Sequence, residues 1–129
     1  MIKSLDHLVL TVASIDATVA FYCGALRMQE VVFGEGRRAL AFGHQKINLH
    51  EAGREFEPKA KRPTPGSGDL CFLADRPLAE VIATLQTNGI AIESGPIPRT
   101  GATGPITSIY VRDPDGNLVE ISTPRAAQD

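Results

Sequence analysis

Glu120 lies in the apolar run Leu118, Val119, Glu120, Ile121, Ser122. A carboxylate in such a setting is costly unless it is paired or holds a cation. At the other end of the chain, His7 opens a similar run of Leu8, Val9, Leu10, Thr11 and Val12, and Asp69 opens a third before Leu70, Cys71, Phe72 and Leu73. Asn48 and His50 stand two apart, flanked by Ile47, Leu49 and Glu51. Imidazole and carboxylates are ligands for divalent Mn, Fe, Co, Ni or Zn. His7, Asp69 and Glu120 are therefore a candidate metal set, with coordination positions left for water and substrate. Each also has a plain structural alternative: a satisfied core histidine, a strand-entry cap at Asp69, a solvent-facing edge-strand carboxylate at Glu120.

The elements that must position these residues are legible in the pattern. Residues 5–12 alternate and read as a strand. Ser14 is an N-cap candidate for a helix over 15–26, whose Ile15, Val19, Tyr22 and Leu26 recur at helical spacing. Strands are expected at 29–33, 38–42 and 46–51. Residues 52–68 are polar and rich in Pro and Gly, a connector. The order then repeats. A strand at 69–74 precedes a helix starting at Pro77 and stopping at Asn88 and Gly89. Further strands are expected at 90–93, 106–111 and 118–122, with a loop over 95–105. The last two strands flank Asp113, Pro114, Asp115, Gly116 and Asn117, where Pro presets φ and Gly and Asn tolerate the positive φ of a tight turn.

Two copies of strand-helix-strand-strand-strand amount to an internal duplication. The expected architecture is α+β: two paired βαβββ modules, about 4–51 and 69–124, forming a partly open barrel-like sheet with the helices outside and a ligand in the concave interior. Aligning the halves makes His7 equivalent to Asp69, and Asn48 to Glu120. Strand alternation puts His7, Val9 and Thr11 on one face. Leu8, Leu10 and Val12 form the uniformly apolar opposite face, suited to packing under a helix. The His7 side is thus the concave one, and Asn48 pairs with His50 there as Glu120 does with Ser122.

Composition narrows the class. The 129 residues are 43% hydrophobic and 22% charged, with a net charge of −2. These values fit one soluble globular domain and point away from nucleic-acid and membrane partners. No run approaches membrane-spanning length, and the N-terminus reads as carrying no signal peptide, so a cytoplasmic location is expected. Cys23 and Cys71 sit in apolar stretches and read as reduced core residues rather than a disulfide.

The strand bearing His7, the helix bearing Phe21 and Tyr22, the duplicated layout, and the Asp113 to Glu120 turn motif together resemble the vicinal oxygen chelate superfamily. That group includes glyoxalase I, fosfomycin-resistance thiol transferases, extradiol dioxygenases and bleomycin-binding proteins. The resemblance covers about residues 4–124, implying a single domain with 52–68 as its linker. Asn48 to Glu51, Arg62 to Gly66 and Pro98 to Gly101 bring the chain nearest to glyoxalase-domain proteins of the virulence-associated kind. On this resemblance, His7 and Glu120 match the family's first-strand and last-strand metal ligands. Asp69 stands where a second His is usual, and Asn48 where glyoxalase I has a metal-bound Glu. Asn48 cannot act as a carboxylate base.

The resemblance implies a divalent metal (Mn, Ni, Zn or Fe) acting as a Lewis acid on two adjacent substrate oxygens. The first expectation is a metal-dependent lyase, isomerase or transferase for a small oxygen-rich substrate, with His50 as general base or fourth ligand. Asn48, Thr11 and Arg99 are the candidate substrate contacts. Arg99 would take a carboxylate or phosphate from a mobile loop, 96–105, closing over the site. The second is a metal-free module that sequesters a small molecule, for which 5% aromatic residues and no Trp supply few stacking rings. The third, an extradiol dioxygenase, is disfavoured by the acidic residue at 69. Two-module chains of this kind are expected to pair as homodimers.

Overall fold

A computed structural model describes residues 1–125. The described chain divides into two compact units, Met1–Gly68 with Pro114–Gly116, and Asp69–Asp113 with residues 117–125.

In the first unit, β1 (His7–Val12), β2 (Gln29–Phe33), β3 (Arg37–Phe42) and β4 (Gln45–Glu51) form an open four-stranded sheet in the order β1-β4-β3-β2. β1 runs parallel to β4, and the other pairs are antiparallel. Helix α1 (Ile15–Val19) is N-capped by Ser14, whose hydroxyl accepts from the Ala17 N–H at 3.1 Å. The even-numbered side chains of β1 point to the helix face: Leu10 and Val12 are buried there with Leu40, Ile47, Leu49 and Tyr22. The expected helix to residue 26 is not a single α-helix. It widens into a π-helical segment at Ala20–Ala25, where the Leu26 N–H reaches back five residues to the Phe21 carbonyl. Along this segment Thr18, Tyr22 and Ala25 are buried, while Ile15, Val19 and Leu26 of the expected stripe are only partly so.

The second unit repeats the plan. β5 (Asp69–Leu73), β6 (Ser94–Gly101), β7 (Gly104–Arg112) and β8 (Leu118–Pro124) form a second open sheet, ordered β5-β8-β7-β6, with β5 parallel to β8. Helix α2 (Leu78–Thr87) lies between β5 and β6 in the chain, with Pro77 one position earlier than expected, at the cap, and Asn88 ending it. Ile109, Val111, Val119 and Ile121 are buried on one face of the sheet, and Leu85 of α2 is buried as well. The duplicated α+β layout is as expected, in two mixed sheets with neither closed into a barrel.

Two expectations fail around β6. Residues 90–93 are not a strand, and the loop expected over 95–105 is instead the β6–β7 hairpin, which turns at Ala102 and Thr103. Pro96 and Pro98 disguised the strand. Both lie in β6, which forms the outer edge of the sheet, where a missing N–H is tolerated. From Ile97 to Gly101 the hairpin keeps one unbroken antiparallel register, with an irregularity only between Ser94 and Ile97, so 96–105 is strand and turn rather than a closing loop.

The turn that carries the sequence motif is built around Gly116, at φ +86°, a conformation that L side chains adopt at a cost. Asn117 serves differently from expectation. It is buried, its backbone N–H donates to Asp113 Oδ1 at 2.9 Å, and its Nδ2 donates to Asp113 Oδ2 at 2.8 Å. The aspartate thus clasps the turn shut and fixes where β8 starts.

Candidate functional site

On the open face of the first sheet, the register sets Val9 beside Asn48 and Thr11 beside His50, with Ala39 across from Asn48. Arg38 faces Leu49, so Arg37 falls on the His50 side. Asn48 and His50 are buried, 5% and 4% exposed, and Thr11 is at 9%. Three buried polar atoms of this face lack a hydrogen-bond partner: Arg37 Nε, Asn48 Oδ1 and His50 Nε2. The Arg37 guanidinium lies between two rings, 5.1 Å from the Phe33 centroid and 4.8 Å from that of Phe56. Lys46 Nζ is 3.9 Å from the Phe33 centroid, and the His50 and Phe56 rings are 5.7 Å apart. Burial, and secondarily the Arg37 charge, push the His50 pKa down, which keeps the imidazole neutral near pH 7. At the start of β1, His7 is exposed, and its Nδ1 lies 2.8 Å from Asp6 Oδ2.

The second sheet places Glu120 between Cys71 and Tyr110, with Ser122 between Leu73 and Ser108. Here the polar atoms satisfy one another. Ser108 Oγ donates to Glu120 Oε2 at 2.6 Å, and the Ser108 and Ser122 hydroxyls are 2.7 Å apart. Each hydroxyl has one proton. Since Ser108 gives its proton to the carboxylate, Ser122 donates to Ser108 and is left to accept from the Cys71 thiol, 3.3 Å away. The chain of bonds runs in one direction and ends on Glu120. The Cys71 pKa is raised, first by burial and then by Glu120. Arg99 Nε donates to the Tyr110 hydroxyl at 2.9 Å. Arg99 is therefore held on a strand beside Tyr110, whose register partner is Glu120, rather than carried on a mobile loop. Asp69 opens β5 and is exposed.

Sequence reasoning placed Asn48 with His50 and Glu120 with Ser122, and the sheets bring both pairs together. It missed Ser108 and Tyr110, though both share the parity of residues that face Glu120 and Ser122. It also missed Arg37, Phe33 and Phe56, since Phe56 comes from the 52–68 connector. Cys71 is exposed in the chain rather than a core residue, and Cys23 is partly buried; both are free thiols. Among the described residues, no group of three or more His, Cys, Asp and Glu side chains is placed to hold a metal ion. No helix among them is long and apolar enough to cross a membrane.

A duplicated βαβββ fold with a strand carboxylate on a polar face defines a glyoxalase-like class of protein. Residues 4–121 match the Glyoxalase/Bleomycin resistance protein/Dioxygenase superfamily, and the chain belongs to that family. It is 57% identical over 122 residues to Virulence protein STM3117 of Salmonella typhimurium, covering 95% of this chain and 85% of that protein. The crystal structure of that virulence protein superposes with a TM-score of 0.94 at 55% identity, covering 97% of this chain and 99% of that one. Glyoxalase domain-containing protein RDO1 of Mycosarcoma maydis is also 57% identical over 122 residues, 95% of this chain and 69% of that protein. The fold, though little of the sequence, is shared with a lactoylglutathione lyase from Agrobacterium tumefaciens (24% identity, TM-score 0.72, 95% of each chain). The same holds for the antibiotic-binding protein TnmS3 from a Streptomyces species (20%, 0.75, 96% and 98%). It holds too for the fosfomycin resistance protein FosX from Mesorhizobium loti (17%, 0.65, 98% and 96%).

Proposed function

We propose that this protein is a divalent-metal-dependent enzyme of the glyoxalase type, a lyase, isomerase or transferase acting on a small oxygen-rich substrate. The observation that carries this reading is Glu120. Its carboxylate is oriented by the buried Ser108 at 2.6 Å, the kind of support that holds a ligand in a fixed geometry. The donor set proposed is His7, Asp69 and Glu120. Asp6 at His7 Nδ1 supports it too, because it leaves Nε2 as the coordinating atom, as in carboxylate–histidine–metal arrangements. The donor chemistry suits Mn, Ni, Zn or Fe. Bound there, the metal would polarise adjacent substrate oxygens as a Lewis acid. His50, kept neutral by burial, is the proposed proton acceptor. Asn48, Thr11 and Arg99 are the proposed substrate contacts, and the Tyr110 hydroxyl fixes the guanidinium of Arg99.

On this reading the two units work as one domain over 4–124, with 52–68 as linker, in a cytoplasmic homodimer. Val9 of β1 and Leu73 of β5 stay exposed in the single chain, apolar surface that a second copy would cover. The alternative of a metal-free binding protein gains support from the Arg37, Phe33 and Phe56 arrangement, which gives the first unit ring surface beyond what the low aromatic content suggests.

Metal analysis of protein purified without chelators decides between the two. Near-stoichiometric divalent metal is expected in the wild type and is expected to be lost in His7→Ala and Glu120→Gln. Iron with substrate-dependent oxygen uptake would turn the assignment to a dioxygenase. A wild type that stays empty when offered Mn, Ni, Zn and Fe overturns the enzyme reading.

A further inference from the structure

We infer that the open face of the first sheet is a subsite for a small hydroxy-carboxylate. In this arrangement Arg37 and His50 donate to the carboxylate, Asn48 accepts from the hydroxyl, and Phe33 and Phe56 flank the ligand. This deepens the enzyme reading by naming a substrate class, and rests on that reading for the chemistry but not for the binding.

Arg37 Nε, Asn48 Oδ1 and His50 Nε2 are buried on the same face of neighbouring strands, and the protein offers none of them a partner. Folded proteins leave few buried polar atoms unmet, and a cluster of three marks a place where the partner comes from outside. What that partner must be follows from the atoms. The Arg37 Nε–H is always a donor, so it requires an acceptor, and Asn48 Oδ1 is always an acceptor, so it requires a donor. His50 Nε2 joins Arg37 as a second donor when the neutral ring carries its proton there, which leaves Nδ1 as the acceptor that the enzyme reading requires.

A simple anion would leave Asn48 unmet, and a simple alcohol would leave the Arg37 charge without a counterpart. A molecule with a carboxylate and a neighbouring hydroxyl satisfies all three. The charges agree. Arg37 and Lys46 are the cations of this face, and both lie against the Phe33 ring. Of the nearby carboxylates, Glu55 accepts from the Gly53 N–H at 2.9 Å and Glu57 is paired with Lys59. Two donors, one from an arginine and one from an imidazole, match the two oxygens of a planar carboxylate.

A cleft of about 160 Å³ opens at the edge of the sheet, lined by Arg37, Phe56, Arg54 and Glu51 together with Ile15 and Leu49 of the helix face. Asn48 and His50 do not line it. Phe56, 44% exposed and tilted against the His50 ring, borders the way from Arg37 to the two buried residues.

The test uses the full-length, chelator-treated protein, so it does not depend on the metal. Lactate, propionate and inorganic phosphate are titrated separately while the Arg37 Nε–H and His50 imidazole ¹⁵N resonances are followed. Lactate is expected to saturate and to move both signals. Arg37→Met is expected to weaken it about tenfold, the loss of a charge-assisted bond. Asn48→Leu is expected to weaken lactate and leave propionate unchanged. Phe56→Ala, at a half-exposed position, is expected to weaken lactate severalfold and so stands in should the Arg37 variant fail to fold. No saturation by lactate, or wild-type affinity in the Arg37 and Phe56 variants, overturns the subsite. Propionate matching lactate removes the hydroxyl contact, and phosphate binding tighter than lactate replaces the carboxylate; either outcome overturns the class assigned. Lactate binding in a protein that takes up no metal would sink the enzyme reading alone, and metal uptake without lactate binding would sink the subsite alone.

Discussion

The two sheets share one topology and handle polar atoms in opposite ways. At equivalent positions, the first sheet has Val9, Asn48 and Ala39 in a row across three strands, and the second has Cys71, Glu120 and Tyr110. One step along, Thr11 and His50 correspond to Leu73 and Ser122. In the second unit, Ser108 and Ser122 give the central carboxylate an internal partner. In the first, Asn48 has only apolar neighbours beside it in the register, and its Oδ1 is left without a partner. One scaffold used twice therefore carries two kinds of face: one gives its central polar group internal partners, and the other leaves buried polar atoms without any.

The largest effects should come from the buried helix-face residues the units have in common. Leu49→Ala and Ile109→Ala are each expected to cost about 2–5 kcal/mol in urea denaturation, the usual loss for truncating a fully buried aliphatic side chain. One cooperative transition in both variants fits a single domain, whereas separate transitions, each sensitive to one substitution, would show two.

Next comes the turn that only the second unit builds. Asp113→Ala removes the acceptor of two bonds from buried Asn117 and should cost about 1–3 kcal/mol. A loss no larger than that of a typical surface substitution would show that the clasp contributes little.

The contrast itself is tested by a pair of opposite sign. Ser108→Ala leaves Glu120 Oε2 without this donor and should destabilise by about 1–3 kcal/mol. Asn48→Leu removes an unsatisfied buried oxygen and should be neutral or stabilising, since replacing an unmet polar group with an apolar one of similar size removes a penalty. Finding Asn48→Leu the more damaging of the two breaks the comparison.

The smallest effect is on pH. Burial and Arg37 lower the His50 pKa below 6.5 in the folded protein, so the unfolded chain binds the proton more readily. This contribution to stability is complete above pH 6.5 and is lost as pH falls through the folded value. His50→Gln should flatten the stability profile between pH 5 and 7, measured by urea unfolding. An unchanged slope would mean that His50 is not the group responsible.

Strand and helix positions were legible wherever alternation or capping was local: β1 from its β-branched run, α1 from Ser14, the end of α2 from Asn88 and Gly89. The duplication was legible because both halves punctuate alike. β6 was not, since its prolines imitate a loop and its strand character exists only through pairing with β7. Within the candidate site, Glu120 and His50 stood out as polar residues in apolar runs. Ser108 did not, because a serine in a strand is unremarkable until the register sets it opposite Ser122.

By itself the sequence determined which residues alternate, where the chain turns, and that one plan is used twice, because these follow from side-chain period and backbone preference over a few neighbouring residues. Only the tertiary structure decided which polar atoms find partners. That outcome depends on strand register and on Phe56 arriving from the connector, both contacts between residues distant in the chain.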